Sequence, residues 1–261
     1  QSQLAEETML PARTVRDAAL FFQVLAGPDP RDPTCLREKP PNFLQGLRQG
    51  VKGLKMAWSR DLGYAAVEPE VVQSAHRAAG AFEELGASVE EVQLEWESPF
   101  SHFWTIASAD TAAALGHLLE KADLLTNYAR DTLGYGAWVK ATEYSKALRA
   151  VEQLTAKADA LFQKYDLLLT PTMAVVAFPV GQRPGVIAGR PVDTFWGFLP
   201  YTFPFNMTHQ PAASIPCGFS QEGLPIGLHI VGRRGEEALV LRASAAFEQA
   251  RPWADKVPPV S

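Results

Sequence analysis

The stretch Phe203-Pro204-Phe205-Asn206-Met207-Thr208-His209-Gln210-Pro211-Ala212-Ala213-Ser214-Ile215-Pro216-Cys217-Gly218-Phe219, continued by Glu222-Gly223-Leu224-Pro225-Ile226-Gly227-Leu228-His229-Ile230-Val231-Gly232, decides the fold. Within it, Ala212 to Pro216 and Gly227 to Val231 read as two short strands joined by the turn residues Gln221-Glu222-Gly223. Ser214 is thereby expected in a buried strand. Glu236 to Gln249 then predicts a closing helix, apolar at Leu239, Val240, Ala243, Ala246 and Phe247.

Upstream, Asp166 to Thr170 is a continuous apolar run bounded by Pro171, the pattern of a strand buried on both faces. Between Pro171 and Phe203 lies a Gly-, Pro- and aromatic-rich stretch with little periodicity. Stretches of this kind inside a domain are commonly functional loops. Pro99 to Tyr165 is helical in pattern, most clearly from Ala141, with Tyr144, Leu148, Val151, Leu154, Ala158 and Leu161 on one face.

Nearer the start, Thr14-Val15-Arg16-Asp17 resembles a capping box, a hydroxyl at the cap with a carboxylate three residues on. The helix that follows ends at Gly27-Pro28. Leu54 to Trp58 predicts a buried strand. Glu68-Pro69 opens a helix with proline at its first position, closed by Gly86, and Ser88 to Leu94 alternates as a strand. Strand, helix, strand with short connections is a βαβ unit and implies parallel pairing. The tally is an α/β chain with about five strands and a helical insertion.

Composition excludes several classes. The 261 residues, 47% of them hydrophobic and 20% charged, can bury a full core without disulfide or metal staples. Net charge is −5, and no basic run exceeds Arg233-Arg234, so no cationic face for nucleic acid is expected. No apolar run is long enough to span a membrane, and no signal peptide is visible, which makes a cytoplasmic location the expectation. Cys35 and Cys217 lie far apart and form no disulfide or metal pattern; they read as a loop cysteine and a small buried residue. His209 and His229 lack companions at ligand spacing, so no metal site is expected. Asp29-Pro30-Arg31-Asp32-Pro33 reads as a surface turn. The first residue is Gln1 rather than Met, which leads to the expectation of a fragment or a processed chain.

Four stretches together resemble the amidase signature family. They are Pro11-Ala12-Arg13-Thr14-Val15-Arg16-Asp17-Ala18-Ala19-Leu20 with the Leu25 to Pro33 segment; Leu54 to Tyr64; Tyr165 to Thr172; and the opening run with Ala245-Ala246-Phe247-Glu248-Gln249-Ala250. The resemblance covers essentially the whole chain, read as residues 1–261 of a partial domain with a mostly helical insertion at about 99–165. It implies an α/β fold, a mixed, mainly parallel sheet with helices on both faces.

It also implies amide C–N chemistry by a Ser/cis-Ser/Lys triad, with backbone N–H groups holding the oxyanion. Members carry these groups in a Gly/Ser-rich segment. The twelve serines here are scattered and none has a glycine-rich context. Ser214 and Ser108 read as structural, and Lys55, Lys140 and Lys157 as solvent-facing stems. No catalytic residue is therefore assigned, and the chain is expected to represent the C-terminal part of an amidase whose triad lies upstream.

What the resemblance carries over is the acyl pocket: Trp196, Leu199, Tyr201, Thr202 and Phe203, with Phe198 and Phe205 nearby. Trp196 and Tyr201 are expected in pocket or surface-loop packing, while Phe203 and Phe205 are divided between pocket and core. Aromatic rings there favour an apolar or aryl acyl group, each gaining on the order of a kcal/mol or more on burial. The glutamine-using tRNA amidotransferase component carries an aspartate at the position of Leu199, which weighs against glutamine. Arg130 falls near a family arginine that contacts substrate carboxylates, and otherwise reads as a solvated helix residue. The partner implied is a small-molecule amide, with no nucleic acid, membrane or cofactor; the family leaves room for a homodimer of the parent protein. The competing readings are a non-catalytic binding or scaffold chain of the same fold and the A component of a glutamine-dependent tRNA amidotransferase.

Overall fold

The computed structural model describes residues 11–32 and 36–256. Gln1, Pro33 and Cys35 lie outside them. The described chain forms two compact units. One comprises Ser98–Ala160 and Phe203–His209; the other comprises Leu161–Thr202 with the described parts of Met9–Glu97 and Gln210–Ser261.

The second unit is built on a five-stranded sheet. Its strands are β1 (Lys55–Trp58), β2 (Ser88–Glu91), β3 (Leu167–Pro171), β6 (Ala212–Phe219) and β7 (Pro225–Gly232), in the order β2-β1-β3-β7-β6. β1 is parallel to both β2 and β3, β7 is antiparallel to β3, and β6 is antiparallel to β7. Every strand but β7 thus runs one way, so the sheet is mixed and mainly parallel, as expected. A two-stranded ribbon, β4 (Val186–Ile187) with β5 (Arg190–Pro191), interrupts the irregular stretch after β3. Two-residue strands are too short to display a period of two, which is why the sequence shows no sign of them.

The βαβ unit is β1, α2 (Pro69–Glu84) and β2. Pro69 starts the helix, and Gly86, at φ +89, turns the chain back toward β2. α2 presents Ala75, Ala78, Ala79 and Phe82, and α7 (Glu237–Ala250) presents Val240, Ala243 and Phe247, to Met56, Leu167, Leu169, Leu228 and Ile230. Small alanines let the helices approach the sheet closely, while Phe82 and Phe247 fill the space between them with centroids 5.5 Å apart. α1 (Val15–Leu25) begins at Thr14, whose hydroxyl accepts the Asp17 N–H at 3.1 Å. Its Val15 and Ala19 pack with Phe43, Leu47 and Ala245. Residues of the opposite sheet face, Ala57, Leu168 and Val231, are fully buried as well. All five residues of β3 are buried, in keeping with its unbroken apolar run.

β6 departs from expectation. It is a strand, but Ser214 is exposed rather than buried, because β6 lies at the sheet edge among the described residues. Cys217, on the same strand, is half-buried.

The first unit holds α3 (Phe100–Leu115), a 3-10 segment (Gly116–Leu124), α4 (Asn127–Trp138), most of α5 (Ala141–Phe162) and α6 (Phe203–Thr208). α3 and α4 touch at Gly136, where a Cβ atom would come within 1.9 Å of the Ser108 carbonyl oxygen. Tyr144 of α5 donates to Asp110 of α3 at 2.8 Å. Arg130 is half-buried, not simply solvated: its guanidinium donates to the Ala122 carbonyl at 3.1 Å and to the Asn127 side chain. The short helix α6 leaves no periodic signal, since six residues with a proline among them are under two turns.

Candidate functional site

In open α/β sheets, ligands bind beyond the carboxyl ends of the strands, where successive connections leave in opposite directions. That point lies between β1 and β3. β1 leads through α2 to β2 on one side, and β3 neighbours β7 and β6 on the other. Two segments emerge there, residues 59–66 after β1 and 172–178 after β3.

The loop after β1 is tightly folded. Ser59 Oγ accepts the Leu62 N–H at 3.1 Å, and Asp61 Oδ1 accepts the Gly63 N–H at 2.8 Å. Leu62 (φ 53) and Gly63 (φ 89) are consecutive left-handed residues. The loop after β3 is tied down at Ala174, whose N–H donates to the Phe198 carbonyl at 3.1 Å and whose carbonyl accepts the Glu68 N–H at 2.9 Å. Ala66, Ala174 and Ile187 form a small buried cluster there, with Val175, Val192 and Phe198 packed on it. Arg190 of β5 donates to the Ala65 and Tyr64 carbonyls, each at 3.0 Å. Beside these loops runs a cleft of about 400 Å³, walled by Val71, Met173, Val175, Phe178, Phe198 and Ile226. Phe178 and Phe198 meet edge-on at 5.0 Å.

A polar patch lies across β3, β7 and β6. The register places Thr170 beside His229 and His229 beside Ser214, so these side chains share one sheet face. Thr172 Oγ1 and Ser214 Oγ are hydrogen-bonded at 2.8 Å. They meet over Gly227, where a Cβ would come within 2.7 Å of the first hydroxyl and 2.9 Å of the second. His229 Nδ1 lies 3.5 Å from Thr170 Oγ1, and burial lowers its pKa to about 4. The imidazole is therefore neutral at pH 7. On the opposite face, burial pushes the Cys217 thiol up to about 11, against smaller opposing effects of Ser74 and Arg77, so it is a poor nucleophile.

Trp196, Leu199, Tyr201 and Thr202 all lie in the loop between β5 and α6. Asp193 Oδ1 accepts the Phe195 and Trp196 N–H groups at 2.9 and 2.8 Å, and the Leu199 N–H closes a turn on the Trp196 carbonyl at 2.9 Å. Trp196, Leu199 and Thr202 are half-buried. Tyr201 departs from surface-loop packing: it is fully buried, and its hydroxyl donates to the Arg60 carbonyl, which satisfies the phenol inside the core. Phe203 belongs to the helical unit, buried in α6 with its ring 5.4 Å from Phe103 and 5.9 Å from Phe100. Phe205 is buried too.

Sequence reasoning passed over Tyr64, Thr172, Gly227 and the neighbours of His229. A glycine inside an otherwise apolar strand signals a close approach of other groups, and Gly227 carries that signal. Lys55, Lys140 and Lys157 are exposed. Asp29 and Arg31 form an exposed ion pair at 2.6 Å, a surface turn as expected. Among the described residues no group of three or more His, Cys, Asp or Glu is arranged to hold a metal ion, and no helix is long and apolar enough to cross a membrane.

The site thus consists of crevice loops at the strand ends of an α/β sheet, with hydroxyl, imidazole and aromatic side chains beside them. The chain matches the Amidase family model over residues 10–241, and it belongs to that family, the amidase signature enzymes. It is 34% identical over 251 residues to an acylamidase of Rhodococcus erythropolis, covering 94% of this chain and 52% of that protein. It is 36% identical over 262 residues to the A component of the glutamyl-tRNA(Gln) amidotransferase of Moorella thermoacetica, covering 91% and 53%. Among solved structures, a bacterial aryl acylamidase of the amidase signature family superposes with a TM-score of 0.85 at 32% identity, over 93% of this chain and 52% of that one. The chain spans about half the length of these relatives.

Proposed function

We propose that this chain is the acyl-binding part of an amidase that cleaves C–N bonds of small carboxamides. In this reading, the loop that carries Trp196, Leu199, Tyr201 and Thr202 forms the wall that receives the acyl group, and Phe203 belongs to the helical unit. The serine nucleophile, relaying serine and lysine base are supplied by sequence outside these 261 residues. The observation that carries it is the placement of the Trp196–Thr202 loop, tied through Pro200, Tyr201 and Phe198 to the loops leaving β1 and β3. The likeness to an acylamidase and an aryl acylamidase supports an aryl or apolar acyl group. The likeness to the amidotransferase component favours a second reading, a glutamine-using protein, but an aliphatic Leu199 offers no partner to the ammonium group of glutamine.

Two measurements on the chain test this. Fluorophosphonate labelling followed by mass spectrometry is expected to modify no serine, and a labelled serine overturns the placement of the nucleophile. Benzamide is expected to bind at least about tenfold more tightly than glutamine, since a buried ring outweighs polar contacts that Leu199 cannot make. Preference for glutamine establishes the second reading instead.

A further inference from the structure

Two tyrosines from segments far apart in sequence each hold the other's backbone. Tyr64, in the loop after β1, donates its hydroxyl to the Pro200 carbonyl at 2.5 Å. Tyr201, the next residue along from that acceptor, donates its own hydroxyl to the Arg60 carbonyl in Tyr64's loop. The two bonds form a closed exchange between residues 60–64 and 200–201. Burial holds both phenols well above their ordinary pKa, with Asp61 adding to the effect at Tyr201, so both stay protonated donors across the working pH range. Arg190 donates to the Tyr64 and Ala65 carbonyls, and Ala174 ties Phe198 to the loop after β3.

Within the 196–202 segment, the Asp193 turn and the Leu199-to-Trp196 turn are local anchors. Pro200 has no N–H of its own, so its carbonyl is the one backbone hydrogen-bonding group through which a partner can hold that residue. The hydroxyl of Tyr64 fills that role, and Leu199 and Tyr201 flank the residue it fixes, with Thr202 next along.

We propose that Tyr64 is a positioning residue for the Trp196–Thr202 loop, setting through the Pro200 carbonyl the backbone from which Leu199 and Thr202 meet the acyl group. The assignment of an acyl group rests on the function proposed above; the reciprocal clasp does not. Tyr64 touches no substrate in this role, and its effect passes entirely through Pro200.

Tyr64→Phe removes only the hydroxyl and leaves the ring. Hydrogen exchange of the 261-residue chain is expected to quicken about tenfold at the Leu199, Tyr201 and Thr202 amides, while β3 and β7 keep their protection. Tyr201→Phe is expected to quicken the Asp61–Gly63 amides in the same way. Unchanged exchange at Leu199, Tyr201 and Thr202 in Tyr64→Phe overturns the proposal. If Tyr64→Phe also loosens β3 and β7, Tyr201→Phe decides through the Asp61–Gly63 amides, which must quicken for the clasp to stand. A second readout separates positioning from mere stability. The benzamide dissociation constant, followed by tryptophan fluorescence, is expected to rise about tenfold in Tyr64→Phe, alongside the modest fall in urea midpoint that loss of one hydrogen bond brings. A shifted midpoint with an unchanged dissociation constant overturns the positioning role. If the unaltered chain binds no benzamide, the acyl-wall reading fails, and the exchange data alone uphold or overturn the clasp.

Discussion

Replacing Gly63 with alanine is expected to destabilise the sheet unit by about 2–5 kcal/mol. Two costs combine. At φ +89 the residue sits in left-handed backbone, where a side chain costs about 1–2 kcal/mol. The added Cβ would also stand 1.9 Å from the Leu94 carbonyl oxygen and 2.9 Å from its carbon, so backbone must move rather than a flexible side-chain tip. Overpacking of that kind costs about 1–3 kcal/mol more. Gly181 provides the control: its φ is +82, yet nothing lies within 4 Å of its would-be Cβ. Gly181→Ala should therefore show the backbone cost alone. Urea unfolding of both variants measures the difference, and equal losses at the two positions would show that the Leu94 contact relaxes without cost. Because Gly63 precedes Tyr64, Gly63→Ala should also disturb the hydroxyl that reaches Pro200.

Stability should fall steeply on mild acidification because of His229. In the unfolded chain this imidazole takes up a proton below about pH 6.5, whereas in the fold burial delays protonation to about pH 4. Between those values the unfolded state binds the extra proton, so unfolding free energy rises with pH at about 1.4 kcal/mol per unit. Acidification from pH 7 to pH 4 therefore removes about 3 kcal/mol through this residue. The side chains beside it across the sheet, Thr170 and Ser214, carry no charge to offset the effect. Glu248 acts in the opposite sense: desolvation raises its pKa, so its contribution is present at low pH and lost as pH rises through the carboxylate range. His229→Gln retains Glu248, and subtraction of its urea-unfolding free energies from those of the unaltered chain isolates the imidazole. A pH dependence that survives His229→Gln unchanged would refute the assignment.

Much of the fold is legible in particular residues. The apolar run before Pro171 announces β3, Pro69 and Gly86 bracket α2, and Thr14 with Asp17 marks the start of α1; each is a local rule satisfied by neighbours in sequence. The site is less legible. Trp196, Leu199, Tyr201 and Thr202 stand out as one loop, but the full burial of Tyr201 does not, because it goes with a hydrogen bond to Arg60, 141 residues away. Ser214 is in a strand, as its neighbours indicate, but in the opposite environment to the one expected. Strand propensity is local, whereas edge or centre is settled by which strands pair.

The sequence by itself determined the α/β class, the principal strands and helices, and membership of the amidase signature family. Those properties are written in periodicity, caps, turns and motifs spanning a few residues. Only the tertiary structure decided that β6 is an edge among the described strands, that Phe203 belongs to the helical unit and that His229 is buried beside hydroxyl groups. It alone paired Tyr64 with Pro200, Tyr201 with Arg60, and Thr172 with Ser214 across Gly227. The physical reason is that burial and hydrogen-bond satisfaction belong to pairs of groups brought together from remote parts of the chain, and no local pattern specifies which pairs will meet.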